Sequence, residues 1–143
     1  MTFKEQASVR SKVKSMRKLI RMAPPNSMFF FEDAGGGGRY PEIDQRYPRI
    51  WSTESCIIIG TLAFMDGETE LTLSDEGVPA GVPVFDGQLK TPSKVIEAST
   101  SENETLMLCE VARDSTRVRI WTDHPSEPKH SPTRSIFSSA RID

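Results

Sequence analysis

The stretch "CIIIGTLAFMDGETELTLS" (56–74) decides what kind of chain this is. Its first half is a continuous apolar run, and its second half, "TELTLS" (69–74), alternates polar with apolar residues. Alternation sends successive side chains to opposite faces of a sheet, and a short unbroken apolar run fits a strand covered on both faces. Between the two lies "DGE" (66–68), and Asp-Gly supplies the positive φ angles that a two-residue hairpin turn needs. The expectation is a long buried strand over 56–66, a tight turn, and a half-exposed partner strand.

The same texture extends outward. "SMFFFE" (27–32) reads as an earlier strand, followed by a long loop, "DAGGGGRYPEIDQRYPR" (33–49). Downstream, "VPVFD" (82–86) and "KVIEAS" (94–99) are short strands, with "DEGVPAG" (75–81) as a turn before them. "TLMLCEV" (105–111) and "TRVRIWT" (116–122) flank "ARDS" (112–115) as a second hairpin, and "RSIFSS" (134–139) reads as a last edge strand. Seven or eight short strands punctuated by Gly and Pro predict an all-β chain, an antiparallel β-sandwich. Alternating strands and long helices, the mark of a parallel α/β fold, are missing.

Upstream the pattern changes. Val9, Val13, Met16 and Ile20 recur at helical spacing with Lys and Arg around them, so residues 1–22 read as a basic amphipathic helix stopped by "APPN" (23–26). The expected division is a basic helical arm, 1–25, and a β domain, 26–143. Residues 1–22 hold seven basic residues against Glu5 alone, a net +6. The whole 143-residue chain is −2, so the remainder is −8. A basic arm joined to an acidic body suggests a basic protein partner for the body, or nucleic acid for the arm.

Hydrophobic residues at 36% and charged residues at 27% exclude a disordered polymer, and no apolar run reaches the roughly 20 residues of a spanning helix. The start has no apolar secretory segment, which makes the cytoplasm the expected compartment. Cys56 and Cys109 both fall in strands, where burial raises a thiol's pKa and makes it inert.

Candidate chemistry is sparse. "TDHPSEPKH" (122–130) holds both histidines, His124 and His130, yet its spacing with Asp123 matches no common zinc site. "EDAGGGGRYPEID" could cradle an anion in its glycine amides, but it lacks the Gly-Lys-Ser/Thr ending of a P-loop and is flanked by acids. Asp33, Asp44, Asp86 and Asp123 could converge on calcium from separate loops. No G-x-S-x-G turn is present, so neither catalytic residues nor cofactors are assigned. What remains is a binding surface. Asp33, Glu42, Asp44, Asp123, His124 and Glu127 supply polar and charged groups, and Tyr40, Tyr47, Trp51 and Trp121 supply aromatic anchors, unless the tryptophans pack in the core.

The order of "MFFFED" (28–33), "IWSTES" (50–55), "GTLAF" (60–64), "VPVFDGQL" (82–89) and "RVRIWTDHP" (117–125) resembles the competence protein J family, inhibitors of a DNA-entry nuclease. The resemblance covers about residues 28–125 and implies a β-sandwich without catalysis that blocks another protein. The expected function is therefore a non-enzymatic protein-binding module, an inhibitor or immunity-type partner of a basic protein such as a nuclease. Two alternatives stand beside it. One is a sandwich that binds carbohydrate, lipid or calcium, or hydrolyses an unrecognised substrate. The other is nucleic-acid binding through the arm.

Overall fold

A computed structural model describes residues 16–61, 67–77, 79–123 and 136–143. Ten strands run in chain order: β1 (Arg17–Met22), β2 (Met28–Asp33), β3 (Ile50–Ser52), β4 (Cys56–Gly60), β5 (Thr69–Ser74), β6 (Val82–Lys90), β7 (Val95–Thr100), β8 (Thr105–Glu110), β9 (Ser115–Thr122) and β10 (Ile136–Ile142). They form two five-stranded sheets. The first has the order β1-β5-β10-β9-β6 and the second β3-β4-β2-β7-β8. The chain is all-β among the described residues, apart from one 3-10 turn at Pro25–Ser27.

One buried cluster draws on both sheets. Phe29, Phe31, Ile57, Ile59, Ile96 and Ala98 come from the second sheet, and Leu71, Leu73, Val118, Ile120 and Ala140 from the first. Alternation explains the sorting. In β2, Phe29, Phe31 and Asp33 are buried while Met28, Phe30 and Glu32 between them are only half-buried. Burying a side chain of Phe or Ile size contributes about 1.5–3 kcal/mol, so this cluster is the main source of stability.

Four expectations are corrected. Residues 17–22 are not helical: they form β1, six residues paired antiparallel with β5 from Arg17↔Ser74 to Met22↔Thr69. Reciprocal bonds between Met16 and Asp75 hold its start, one through the Asp75 carboxylate at 2.8 Å and one through the Met16 carbonyl at 3.2 Å. "RKLIRM" fits a period of two as well as a period near four, and the edge of β5 selects the former. Ile20 and Met22 pack on the core while Leu19 stays 51% exposed. Val9 and Val13 lie outside the described residues.

The second and third corrections concern hairpins. β4 pairs with β2 and β3, whereas β5 pairs with β1 and β10, so the two strands on either side of "DGE" lie in different sheets. β8 pairs with β7, and β9 pairs with β6 and β10, so "ARDS" also passes from one sheet to the other. Thr91 fixes that crossing: its hydroxyl donates to the Arg113 carbonyl at 2.7 Å and lies 2.9 Å from the Thr116 hydroxyl. The alternation in each strand is satisfied either way, because a strand needs a core face and any partner.

Fourth, the last strand is not an edge. β10 sits third in its sheet, parallel to β5 and antiparallel to β9. Its length and place bring Ala140 and Ile142 into the core.

Candidate functional site

The long loop after β2 is held by named contacts. Asp33, 7% exposed, accepts from Gly35 N at 2.9 Å, Ser93 N at 2.9 Å and the Ser93 hydroxyl at 2.7 Å. Its carboxylate thus pins the start of the loop to the turn before β7. Gly36 and Gly37 follow with φ of 74° and 81°, a left-handed geometry that favours glycine. The loop next meets the β3–β4 turn: Arg39 N donates to the Ser55 hydroxyl at 2.7 Å, and the Thr53 hydroxyl donates to the Arg39 carbonyl at 2.6 Å. Since the amide of Gly35 is already bonded to Asp33, the glycine run is built as a turn with an internal acceptor.

From Tyr40 the chain returns across the outer face of the second sheet. The Tyr40 ring stands edge-on to Phe30, centroids 5.8 Å apart at 88°, and its hydroxyl donates to Glu32 Oε1 at 3.4 Å. Asp44 accepts from Trp51 Nε1 at 2.9 Å and from the Arg46 guanidinium through two bonds of 2.9 Å. Those bonds hold the Asp44 carboxyl well below the ordinary range, Arg46 contributing most and Trp51 next. Arg49 lies over the Trp51 ring at 5.2 Å. Beneath this cover Trp51, Cys56 and Ile58 form a second buried cluster, with Met28 and Phe30 against it. The signal in the sequence is the unbroken "CIII": a strand apolar on both faces requires cover on both.

Beside that cluster the face becomes acidic. Cross-strand pairing sets Cys56, Glu32, Glu97 and Leu108 in one row, through Glu32↔Cys56, Glu32↔Glu97 and Glu97↔Leu108. Two glutamates stand directly opposite one another, an arrangement that costs stability. Burial raises the Glu32 carboxyl above its ordinary range; the Tyr40 hydroxyl works against that, and Glu97 adds to it. The Thr105 hydroxyl donates to Glu97. Neither glutamate has a cation partner among the described residues. Leu108, in the same row, is 49% exposed.

Of the ten candidate binding residues, the structure brings Tyr40, Glu42, Asp44, Tyr47 and Trp51 together on one loop and the strand after it. Glu42, Tyr47 and Trp51 line a common cleft with Val84 and Phe85 of β6. Tyr40 and Tyr47 are exposed, at 59% and 40%, while Trp51 at 2% is a pillar under the loop. Asp33 is turned inward to its clamp. Trp121 is 8% exposed, stacked by Arg119 at 5.8 Å, on the other sheet. Asp123 is half-buried, and His124 and Glu127 lie outside the described residues. Sequence reasoning passed over Glu97 and Leu108, since only strand register places them beside Glu32.

The groups considered for chemistry are otherwise engaged. Burial pushes the Cys56 thiol up to about 12, with Glu32 adding to it, and burial likewise raises Cys109. Asp86 is held by two bonds from Arg117, at 2.9 and 2.7 Å, which lower its carboxyl. Among the described residues no group of three or more His, Cys, Asp or Glu could hold a metal ion. Nor, among them, is any helix long and apolar enough to cross a membrane.

These two sheets define an all-β fold, and that fold resembles a structure already solved. One such structure is ComJ from Bacillus subtilis, an inhibitor of the DNA degrading activity of NucA, with a TM-score of 0.57 over 90% of this chain and 96% of that one at 10% identity. The resemblance read from the sequence is therefore present as a likeness of fold. A second structure, crocagin biosynthetic gene J, has a TM-score of 0.46 at 14% identity over 89% of this chain and 96% of that one. No family profile and no curated protein sequence matches the chain.

Proposed function

We propose that this chain is a β-sandwich that works without catalysis in the cytoplasm, binding a basic protein such as a nuclease and blocking it. The observation that carries the reading is the Glu32–Glu97 pair: two carboxylates facing each other on an outer sheet face, with Tyr40 and Leu108 beside them. A structure that keeps like charges opposite one another forgoes stability there, and a partner's lysine or arginine would remove the repulsion. The likeness of fold to ComJ supports the inhibitor role. The raised thiols support the absence of a cysteine nucleophile, because the thiolate is the reactive form.

The nucleic-acid alternative rests on residues 1–22, of which 17–22 are built into β1 and 1–15 are outside the described residues.

The double variant Glu32→Gln/Glu97→Gln separates binding from folding. Removing the like-charge pair leaves the melting temperature equal to or above that of the parent chain. Affinity capture from a lysate of the source cells with the parent chain recovers one dominant basic protein, and the variant binds that protein about tenfold or more weakly. Equal binding by parent and variant, in a titration with the purified partner, would remove the face from the interface.

A further inference from the structure

The edges of the two sheets part next to the long loop. β3 is the outer strand of one sheet and β6 of the other. At the C-terminal end of β6 the edges are tied: Lys90 N donates to the Glu54 carbonyl at 2.8 Å, and Lys90 Nζ pairs with the Glu54 carboxylate at 3.2 Å. Towards the start of β6 a cleft of about 460 Å³ opens between them, walled by Tyr47, Pro48, Ile50, Ser52, Val84 and Phe85. Regular alternation would give the cleft only one of the last two. The register of β6 on β9 shifts between Pro83 and Phe85, and this bulge brings both neighbours to the wall.

The main chain of β3 has an open side. Gly60 N donates to the Arg49 carbonyl at 2.7 Å and Thr53 N to the Cys56 carbonyl at 2.9 Å, so residues 49, 51 and 53 carry the ladder to β4. Ile50 and Ser52 turn their main-chain groups the other way. Ile50 N is bonded to the Pro48 carbonyl at 2.9 Å. The Ser52 N–H and the Ile50 and Ser52 carbonyls have no partner among the described residues, and Ser52 lines the cleft. Unpaired strand groups beside apolar walls are what an extended chain pairs with.

Charge narrows the occupant. Asp44 neutralises Arg46 and Glu54 neutralises Lys90. Glu42, exposed at the rim, has no cation among the described residues. The lining itself therefore offers one uncompensated carboxylate, Glu42.

We propose that this cleft receives an extended peptide segment of the partner. The segment adds to β3 through Ser52, seats an apolar side chain between Tyr47 and Phe85, and directs a lysine or arginine to Glu42. The proposal rests on the protein-binding reading above and names the part of the partner that is bound.

The probe is a displayed library of random short peptides selected against the full chain. Selection is expected to enrich peptides with apolar residues at alternate positions and a basic residue, and their binding slows amide exchange at Ser52. Ser52→Pro deletes the outward N–H, a change an edge strand tolerates, and weakens the selected peptides about tenfold or more. Because the proline variant could misfold, the same peptides N-methylated at alternate amides are titrated against the unaltered chain, with the same expected loss. No enrichment, or binding unchanged by both the proline and the N-methyl groups, overturns the cleft. A captured partner protein whose affinity ignores Ser52→Pro also overturns it, while leaving the protein-binding reading in place.

Discussion

Replacing Phe31 with alanine lowers the stability of the fold by about 3–5 kcal/mol. Phe31 is fully buried and lies on β2, the central strand of its sheet, opposite Ile57 of β4 on one side and Ala98 of β7 on the other. Its ring belongs to the cluster shared by both sheets, so the shortened side chain leaves a void at their junction and not a dent at a rim. Domains of this size are stable by about 5–15 kcal/mol, which makes the loss a large part of the whole. Urea unfolding reads it directly: the midpoint falls while the slope stays constant. A loss below about 1 kcal/mol would mean that the two sheets do not close on this ring.

Trp51→Ala has an effect of similar size with a different signature. Trp51 is 2% exposed, but it belongs to the smaller cluster on the outer face, and its indole nitrogen is tied to Asp44. Its loss removes a large buried aromatic, about 3–5 kcal/mol, and also the post on which residues 40–48 rest. Asp44 then has Arg46 alone, so the loop keeps its ties at Arg39 and Tyr40 but loses the one at Asp44. The expected result is a lowered melting temperature together with faster amide exchange in β3 and in the loop, while β9 and β10 keep their protection until global unfolding. Uniform loss of protection across both sheets would show that the outer cluster is not a separate unit. Trp51→Phe keeps the ring and drops the bond to Asp44, and recovers most of the stability.

The strands were legible because alternation is local. "MFFFED" and "TELTLS" form β2 and β5 as read. The half-exposed strand expected at 69–74 is largely buried, however, with only Glu70 partly open, because β1 and β10 flank it on both sides. Partner choice was not legible. An Asp-Gly turn invites a hairpin, but the strands beside it bond to opposite sheets, and nothing within 56–74 distinguishes a neighbour in the same sheet from one in the facing sheet. The basic start misled for a related reason. Six residues of "RKLIRM" satisfy two periods, and the open side of β5, whose partners run from Ser74 for Arg17 to Thr69 for Met22, decides between them. At the site, loop residues such as Tyr40 and Tyr47 stood out by type. Glu97 and Leu108 did not, because they meet Glu32 only through the register of β7 and β8. The clamp by Asp33 was hidden as well, since its partner Ser93 is sixty residues further along the chain.

The central claim is that carboxylates on the second sheet meet cations of a partner. The dissociation rate of the complex, measured from low to high salt at constant temperature, tests it most directly. Screening over about 10 Å at 0.1 M and about 3 Å at 1 M weakens such contacts, so dissociation accelerates steadily with salt and the acceleration shrinks in Glu32→Gln/Glu97→Gln. A rate that stays flat across that range, with the two glutamates intact, would contradict the account.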